Sequence, residues 1–410
     1  MPAAVRLRPD ACPGVFAPHD AADGALARIR LPGGVISAPG LRAVADCADE
    51  LGDGHVHLTS RGNLQLRGLS RSGALAARLV AAGLLPSQTH ERVRNVLASP
   101  LSGIAAGDPP FGTVTAVRGA AEVPKGGSWD VRGLAAALDR GLCARPVLAD
   151  LPGRFLFALD DGRGDVAAED PDLCWTAPGS LLVAGVDTGL RVAVDDAVAV
   201  LLDAAEAFLA LRAGEGGTAW RAAELVDGPA RIAAALGARA LPASCPESHL
   251  QDASRLEGGL HDTPSAAIPG PVVRADGGVA LVVAPLLGEL TTAQVRLLAD
   301  AAPAAVVTPW RTVVLPDPLL PADRLARAGL IVEPGPAADL SACAGRPGCA
   351  KALADVRADA RAALGHLPAG RVHVSGCARR CGAPRAPHVD AVALAEGGYL
   401  VDGTARAGLG

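Results

Sequence analysis

The chain has 410 residues, half of them hydrophobic, which is too much for one compact core and leads us to expect two or three domains. A formal charge of −5, with no basic tail and no lysine–arginine run, argues against nucleic acid or an acidic membrane surface as a partner. The residues after Met1 lack an apolar leader and no uninterrupted run of about 18 apolar residues occurs, so no membrane segment and a cytoplasmic location are expected.

Lysine occurs only at Lys125 and Lys351, so arginine is the general base of this composition and its frequency alone carries little meaning. In a reducing compartment nine cysteines do not form a disulfide framework. Cys12, Cys47, Cys143, Cys174 and Cys245 share no spacing, and Cys12, Cys47 and Cys143 read as small core or surface residues.

After a proline-rich entry containing Cys12-Pro-Gly, the first unit reads as a strand at Ala27–Leu31, a helix from Pro39 to Glu50, and a hairpin of His55–Thr59 with Leu64–Arg67 that turns on Arg61-Gly62-Asn63. The same order returns at Val279–Val283, Thr292–Asp300, Ala305–Thr308 and Thr312–Leu315. Leu41–Asp46 aligns with Val295–Asp300 and Thr59–Leu66 with Thr308–Leu315, which reads as an internal duplication. Between the copies lies an α/β segment with strands expected at Arg154–Leu159, Leu181–Ala184 and Leu190–Ala193. A helix from Asp195 to Leu211 follows, with an aspartate placed to cap it. Residues 241–272 mix proline, serine and glycine without periodicity and read as a linker. The last stretch carries an alanine-rich helix over Ala350–Leu364, a strand at Arg371–Val374 and a hairpin of Val389–Leu394 with Tyr399–Val401. The expected units are 1–72, 73–240, the linker 241–272, 273–325 and 326–410.

Cys343, Cys349, Cys377 and Cys381 form the pattern C-x5-C-x27-C-x3-C, which reads as four thiolate ligands of one iron–sulfur cluster. Gly376 and Gly382 flank the second pair, where positive φ and close backbone N–H groups can serve an anionic cluster. The helix after Cys349 would turn its positive end toward it. A structural zinc site, which usually uses tighter C-x2-C knuckles, and ordinary buried cysteines are the alternatives.

Three basic sites precede the cysteines. Arg61 stands at a hairpin apex, with Gln65 and Arg67 on one face of the next strand; Arg94 and Asn95 precede a Pro-Gly loop; Arg154 lies in Leu-Pro-Gly-Arg-Phe. Guanidinium forks suit carboxylates, so convergence of these sites would suit a polyanion; solvated loops are the alternative.

In this order T-x-R-x-x-x-Q, R-N-V-x-x-x-P-L-x-G, L-P-x-[KR]-F and the cysteine quartet, on a duplicated module, resemble the nitrite and sulfite reductase superfamily over nearly the entire chain. The resemblance implies an α+β fold: duplicated ferredoxin-like half-domains combined with reductase-type α/β domains in a pseudo-twofold arrangement. It implies a 4Fe-4S cluster beside a sirohaem, with Arg61, Arg94 and Arg154 clamping carboxylates and Cys381 the cluster ligand nearest the macrocycle. Leu156 stands where the reductases carry a second basic residue, and the chain is short for them. Cys12-Pro-Gly, Leu151 through Val166 and Val374 through Cys381 look instead like the precorrin-3B synthase branch.

In that branch the macrocycle is substrate. The implied enzyme is an oxidoreductase of the monooxygenase type that uses dioxygen to hydroxylate precorrin-3A at a meso carbon, with γ-lactone formation, in aerobic cobalamin biosynthesis. It also implies a mononuclear non-haem iron, for which His57, His373, Asp160, Asp161 and Asp165 are candidates, and Arg379 and Arg380 could meet carboxylates. No G-x-G-x-x-G follows a strand, so electrons should come from a separate reductase or ferredoxin. The competing readings are a sirohaem-dependent nitrite or sulfite reductase and a non-enzymatic iron–sulfur electron carrier.

Overall fold

In the computed structural model, which describes residues 12–70, 73–105, 130–237, 241–242, 264–367 and 370–409, the first module starts with β1 (His19–Ala21), β2 (Gly24–Ile29), β3 (Val35–Ser37), α1 (Ala38–Leu51), β4 (His55–Leu58) and β5 (Leu64–Leu69). The opening residues, Cys245 and most of the expected linker lie outside the described residues. Helix α1 forms where Ser37 caps it, its hydroxyl accepting from the Gly40 N–H at 3.2 Å, with Pro39 in the first turn. Leu41, Val44, Ala45, Cys47 and Ala48 then fall on one buried face.

After α2 (Ala74–Ala81) come β6 (Val96–Ala98), α3 (Arg132–Ala144), β7 (Phe157–Asp160), β8 (Leu173–Thr176), β9 (Ser180–Val183), β10 (Val186–Arg191), α4 (Ala197–Gly214), α5 (Gly228–Leu236) and β11 (Leu241–Pro242). The sheet order is β11-β10-β9-β8-β7-β6, parallel from β6 to β8 and antiparallel beyond. Phe155, Phe157, Trp175 and Phe208 anchor its core. Two details differ from expectation. The strand begins at Phe157 rather than Arg154, because the Phe155 N–H bonds Pro152 O and the Leu156 N–H bonds the Asp172 carboxylate. Helix α4 begins at Ala197, and Asp196 ahead of it is already in helical conformation, with no side-chain cap.

The second module comprises β12 (Gly270–Val273), β13 (Val279–Pro285), β14 (Glu289–Thr291), α6 (Thr292–Ala301), β15 (Ala304–Val307) and β16 (Val313–Leu315). A capping box of Thr291 and Gln294 starts α6. The two modules trade a strand. Strand β14 pairs with β4, placing Glu289 opposite His57, while β3 pairs with β15, placing Ile36 opposite Ala305. The sheets therefore read β1-β2-β5-β4-β14 and β12-β13-β16-β15-β3. In each copy a left-handed kink turns the chain from its own sheet toward the other, at Gly33 and Gly34 (φ +67° and +74°) and at Leu287 and Gly288 (φ +58° and +69°). One shared core, including Val44, Ala45, Val295 and Leu298, lies between the modules.

The C-terminal unit follows α7 (Ala322–Arg327), β17 (Leu330–Ile331) and α8 (Pro336–Asp339). It contains β18 (Leu340–Ala342), α9 (Val356–Ala362), β19 (Val372–Ser375), β20 (Val389–Ala393), β21 (Tyr399–Val401) and β22 (Thr404–Arg406), in sheet order β18 to β22. The alanine-rich helix is much shorter than its propensity suggests. Leu353 N–H bonds Gly376 O, Ala354 O accepts from Arg346 N–H, and Asp355 caps at the Ala358 N–H, so residues 350–355 brace the cysteine loops instead. The helix therefore does not start at Cys349. Among the described residues no helix is long and apolar enough to cross a membrane.

Candidate functional site

Strands β18 and β19 are parallel, with Ala342 in register with Val374, so the two cysteine segments leave the same end of the sheet. Cys343 follows β18 directly and Cys377 follows β19 after Gly376. The Gly376 N–H points at Cys343 Sγ, 3.2 Å away, and a Cβ on Gly376 would stand 2.7 Å from that of Ala352. Cys349 closes its loop through an N–H bond to Gly345 O at 2.8 Å. Burial pushes the Cys381 thiol up, and the thiols of Cys343, Cys377 and Cys349 add to it, which places all four in one neighbourhood. All four are unbridged. Among the described residues no three thiols come within 4.8 Å of one another.

A cavity of about 440 Å³ opens between these loops and the first module's sheet. Cys343, Cys381 and Gly382 line one side; His57, Thr59, Ser60, Gln65 and Arg67 line the other; Arg311, Arg357 and Arg361 lie between them. Arg67 forks onto Asp23 at 2.8 and 2.9 Å and also donates to Gly348 O at 2.6 Å, tying β5 to the loop before Cys349. Glu289, on the exchanged strand, takes Arg357 and Arg361 and stands 3.7 Å from both His55 and His57.

Arg61 is half-buried, and no described side chain hydrogen-bonds or pairs with its guanidinium. Burial, with repulsion from Arg221, lowers its pKa to about 10. Ser60, its neighbour, lines the cavity. Arg28 donates to Gln65 Oε1 at 3.3 Å and leaves its Nε without a partner. Arg30, held by Asn95 Oδ1 at 3.0 Å and Pro13 O at 2.9 Å, is lowered by burial and Arg28 to about 9. The nearby Glu91 carboxylate accepts from the N–H groups of Val15 and Phe16 and partly offsets the charge of Arg30. Cys12 faces these arginines, with Arg30 Nη2 3.7 Å from its sulfur.

The expected convergence of Arg61, Arg94 and Arg154 does not occur. Arg94 is buried and forked on Asp139 at 2.6 and 2.8 Å, with a third bond to Leu84 O. Asn95 donates to Arg92 O, Gly153 O and Phe155 O, so it brackets the fold. Arg154 is exposed and does not line the cavity. Of the five candidates, Gln65 lines the cavity and Arg61 adjoins it. Arg67, placed beside Gln65 by the sequence, does line the cavity, whereas Arg28, Arg311 and Arg357 escaped sequence reading; the alternation Arg28-Ile29-Arg30 within a buried strand was the one available signal. Because Asp139 is the one carboxylate among the described residues that pairs with Arg94, Asp139→Ala should destabilise the fold by about 3–5 kcal/mol. Chemical denaturation should show the loss, and Arg94→Met with Asp139→Leu should recover most of it.

The iron-ligand candidates divide similarly. His57 lies on the cavity wall, its Nε2 3.8 Å from Asp53. His373 is buried beneath, with Nδ1 2.9 Å from Ser341 Oγ, and burial lowers it to about 3. Asp160, Asp161 and Asp165 cluster within 4.8 Å of one another. Asp160 already accepts four backbone N–H groups, from Gly162, Gly164, Val166 and Ala167, so its lone pairs shape the turn. Arg380 pairs with Asp390.

Burial raises Asp161 to about 6 and Asp165 well above the usual carboxylate range; the Asp160 carboxylate adds to both shifts and Asp161 adds to that of Asp165. The folded state thus keeps the Asp161 proton after the unfolded chain has released it, and stability falls as pH rises from about 4 through 6. Asp161→Asn should gain in melting temperature over the parent protein between pH 4.5 and 7.5. An unchanging difference would refute the shifted carboxyl.

Residues 19–78 match the nitrite/sulfite reductase ferredoxin-like half domain. Precorrin-3B synthase of Sinorhizobium sp. is 28% identical over 436 aligned residues, covering 98% of this chain and 84% of that protein. The ferredoxin–nitrite reductase of Synechococcus elongatus is 31% identical over 160 residues, covering 37% of this chain and 28% of that enzyme. That of Leptolyngbya laminosa is 36% identical over 83 residues, covering 19% and 16%. The chain thus spans less than a third of either reductase. The structure of the Mycobacterium tuberculosis NirA protein superposes with a TM-score of 0.60 at 20% identity, covering 87% of this chain and 69% of that one, a likeness of fold.

Proposed function

We propose that this chain, which belongs to the nitrite and sulfite reductase superfamily and resembles precorrin-3B synthase along nearly its whole length, hydroxylates precorrin-3A. The observation that carries the reading is the match to 98% of this chain and 84% of the synthase, set against 28% of a nitrite reductase. The α+β fold with its traded strands supplies the frame.

Cys343, Cys349, Cys377 and Cys381 would hold a 4Fe-4S cluster; their shared neighbourhood and the Gly376 N–H aimed at Cys343 Sγ support this. When bound, the cluster supplies one-electron transfer at the cavity wall. The chain's own residues do the rest. Arg61 and Arg28, lacking carboxylate partners, attract the acetate and propionate rim of a tetrapyrrole, and Gln65 orients Arg28. Arg67 holds the Cys349 loop against the sheet that lines the cavity. A mononuclear iron would find one imidazole on that wall, His57, with Asp53 3.8 Å from its Nε2, while Glu289 is engaged by Arg357 and Arg361. Hydroxylation consumes dioxygen, two electrons from a separate reductase or ferredoxin and two protons, places one oxygen on the meso carbon and releases the other as water.

Protein purified without oxygen should contain iron and sulfide but no extractable sirohaem. Supplied with precorrin-3A, a reductant and ¹⁸O₂, it should yield a product carrying one labelled oxygen. Bound sirohaem with reduction of nitrite or sulfite would overturn the proposal.

A further inference from the structure

Arg311 occupies the β15–β16 turn of the second module with φ +61°, where the first module's β4–β5 turn has Gly62 at φ +62°. This conformation is free for glycine and strained for arginine. The turn itself does not need the arginine. Thr308 and Thr312 close it through an N–H bond of 3.0 Å and paired hydroxyls at 2.6 Å. Strain of this kind persists where the surroundings hold it, often at ligand clamps.

The surroundings here are two glycines. A Cβ on Gly288 would stand 2.6 Å from Arg311 Cδ, and one on Gly382 would stand 2.6 Å from its Nη2, so the side chain threads a passage that only glycines leave open. Its guanidinium reaches the cavity beside Cys381 and donates to Gly382 O at 2.9 Å. No described carboxylate pairs with it. Glu169, the acid that it senses, accepts instead from Trp310 Nε1 at 2.8 Å. The side chain is half-buried, and burial with repulsion from Arg357 lowers its pKa to about 10. A half-buried cation on a cavity wall, with no counter-ion among the described residues, is a site for an anion.

We infer that Arg311 is a binding residue for a carboxylate of the cavity's ligand, contributed by the second module on the side that carries Cys381. The inference rests on the tetrapyrrole reading above and adds where one arm of that ligand is held. Arg61 and Arg311 would then grip the rim from corresponding turns of the two modules.

The test uses the full-length, cluster-loaded protein with uroporphyrin III, an octacarboxylate, titrated by fluorescence quenching, and nitrite and sulfite as competing small anions. Arg311→Gln should weaken porphyrin binding about 10- to 100-fold with iron and sulfide content unchanged, and Arg311→Lys should retain part of the affinity. Arg311→Gly should lose affinity like Arg311→Gln yet melt at a higher temperature, because the turn is relieved. If Arg311→Gln binds like the parent while Arg61→Ala weakens, the inference falls and the tetrapyrrole reading stands. If the parent protein binds no porphyrin, that reading falls with it. If Arg311→Gln alters only competition by nitrite or sulfite, the site is one for inorganic anions and the carboxylate assignment is overturned.

Discussion

Replacing Cys349 with serine is expected to remove the visible absorbance of the cluster, deplete iron and sulfide, and lower the melting temperature of the C-terminal unit. The loop from Cys343 to Cys349 has little apolar burial of its own. It is held by the Cys349 N–H bond to Gly345 O at 2.8 Å, by Arg346 Nε to Ala352 O at 2.8 Å, and by the Arg67 contact to Gly348 O at 2.6 Å. These bonds aim the thiol inward, and metal ligation would supply the remaining folding free energy of the loop. Cys143→Ser is the matched control, because Cys143 sits in α3 within another unit. Full retention of iron and sulfide by Cys349→Ser would refute the quartet.

The second large effect belongs to Arg61, whose removal should separate binding from stability. Arg61→Ala should weaken polycarboxylate binding by about 1.5–3 kcal/mol, the range for a hydrogen bond to a charged group. The same guanidinium is half-buried without a hydrogen-bond partner among the described side chains, and burial with repulsion from Arg221 and Arg28 outweighs the attraction of Cys12 and Asp172. Arg61→Met, which keeps the apolar stem, should raise the melting temperature of the free protein while lowering affinity. Parallel loss of both would make Arg61 a structural residue like Arg94.

Arg61 and Arg94 illustrate where sequence reading stops. Both are arginines in short polar motifs next to strands, and both suited a clamp. What separates them is Asp139, 45 residues beyond Arg94, which no local pattern connects to it. The modules themselves were legible, since apolar alternation, the Ser37 cap and the Thr291 box are local signals. The cysteine spacing is likewise a local pattern, and the structure brings the four thiols into one neighbourhood. The shortened α9 was not legible, because the alanine run favours helix locally while its carbonyl and N–H groups bond the cysteine loops instead. Arg311 escaped notice because its left-handed turn shows only in the backbone.

The traded strands bear on how the chain is made. Strand β3 waits for Ala304–Val307, and β4 waits for Glu289–Thr291, so neither sheet can be finished from its own copy. Pairings across some 230 to 270 positions are slow to find, and the half synthesised first must hold exposed strand edges until the second copy emerges. The first half produced alone should aggregate, and two halves produced together should rescue each other by the same exchange. A repeat that began as separate chains would have met this requirement as a strand-swapped dimer, with fusion turning a concentration-dependent encounter into an intramolecular one.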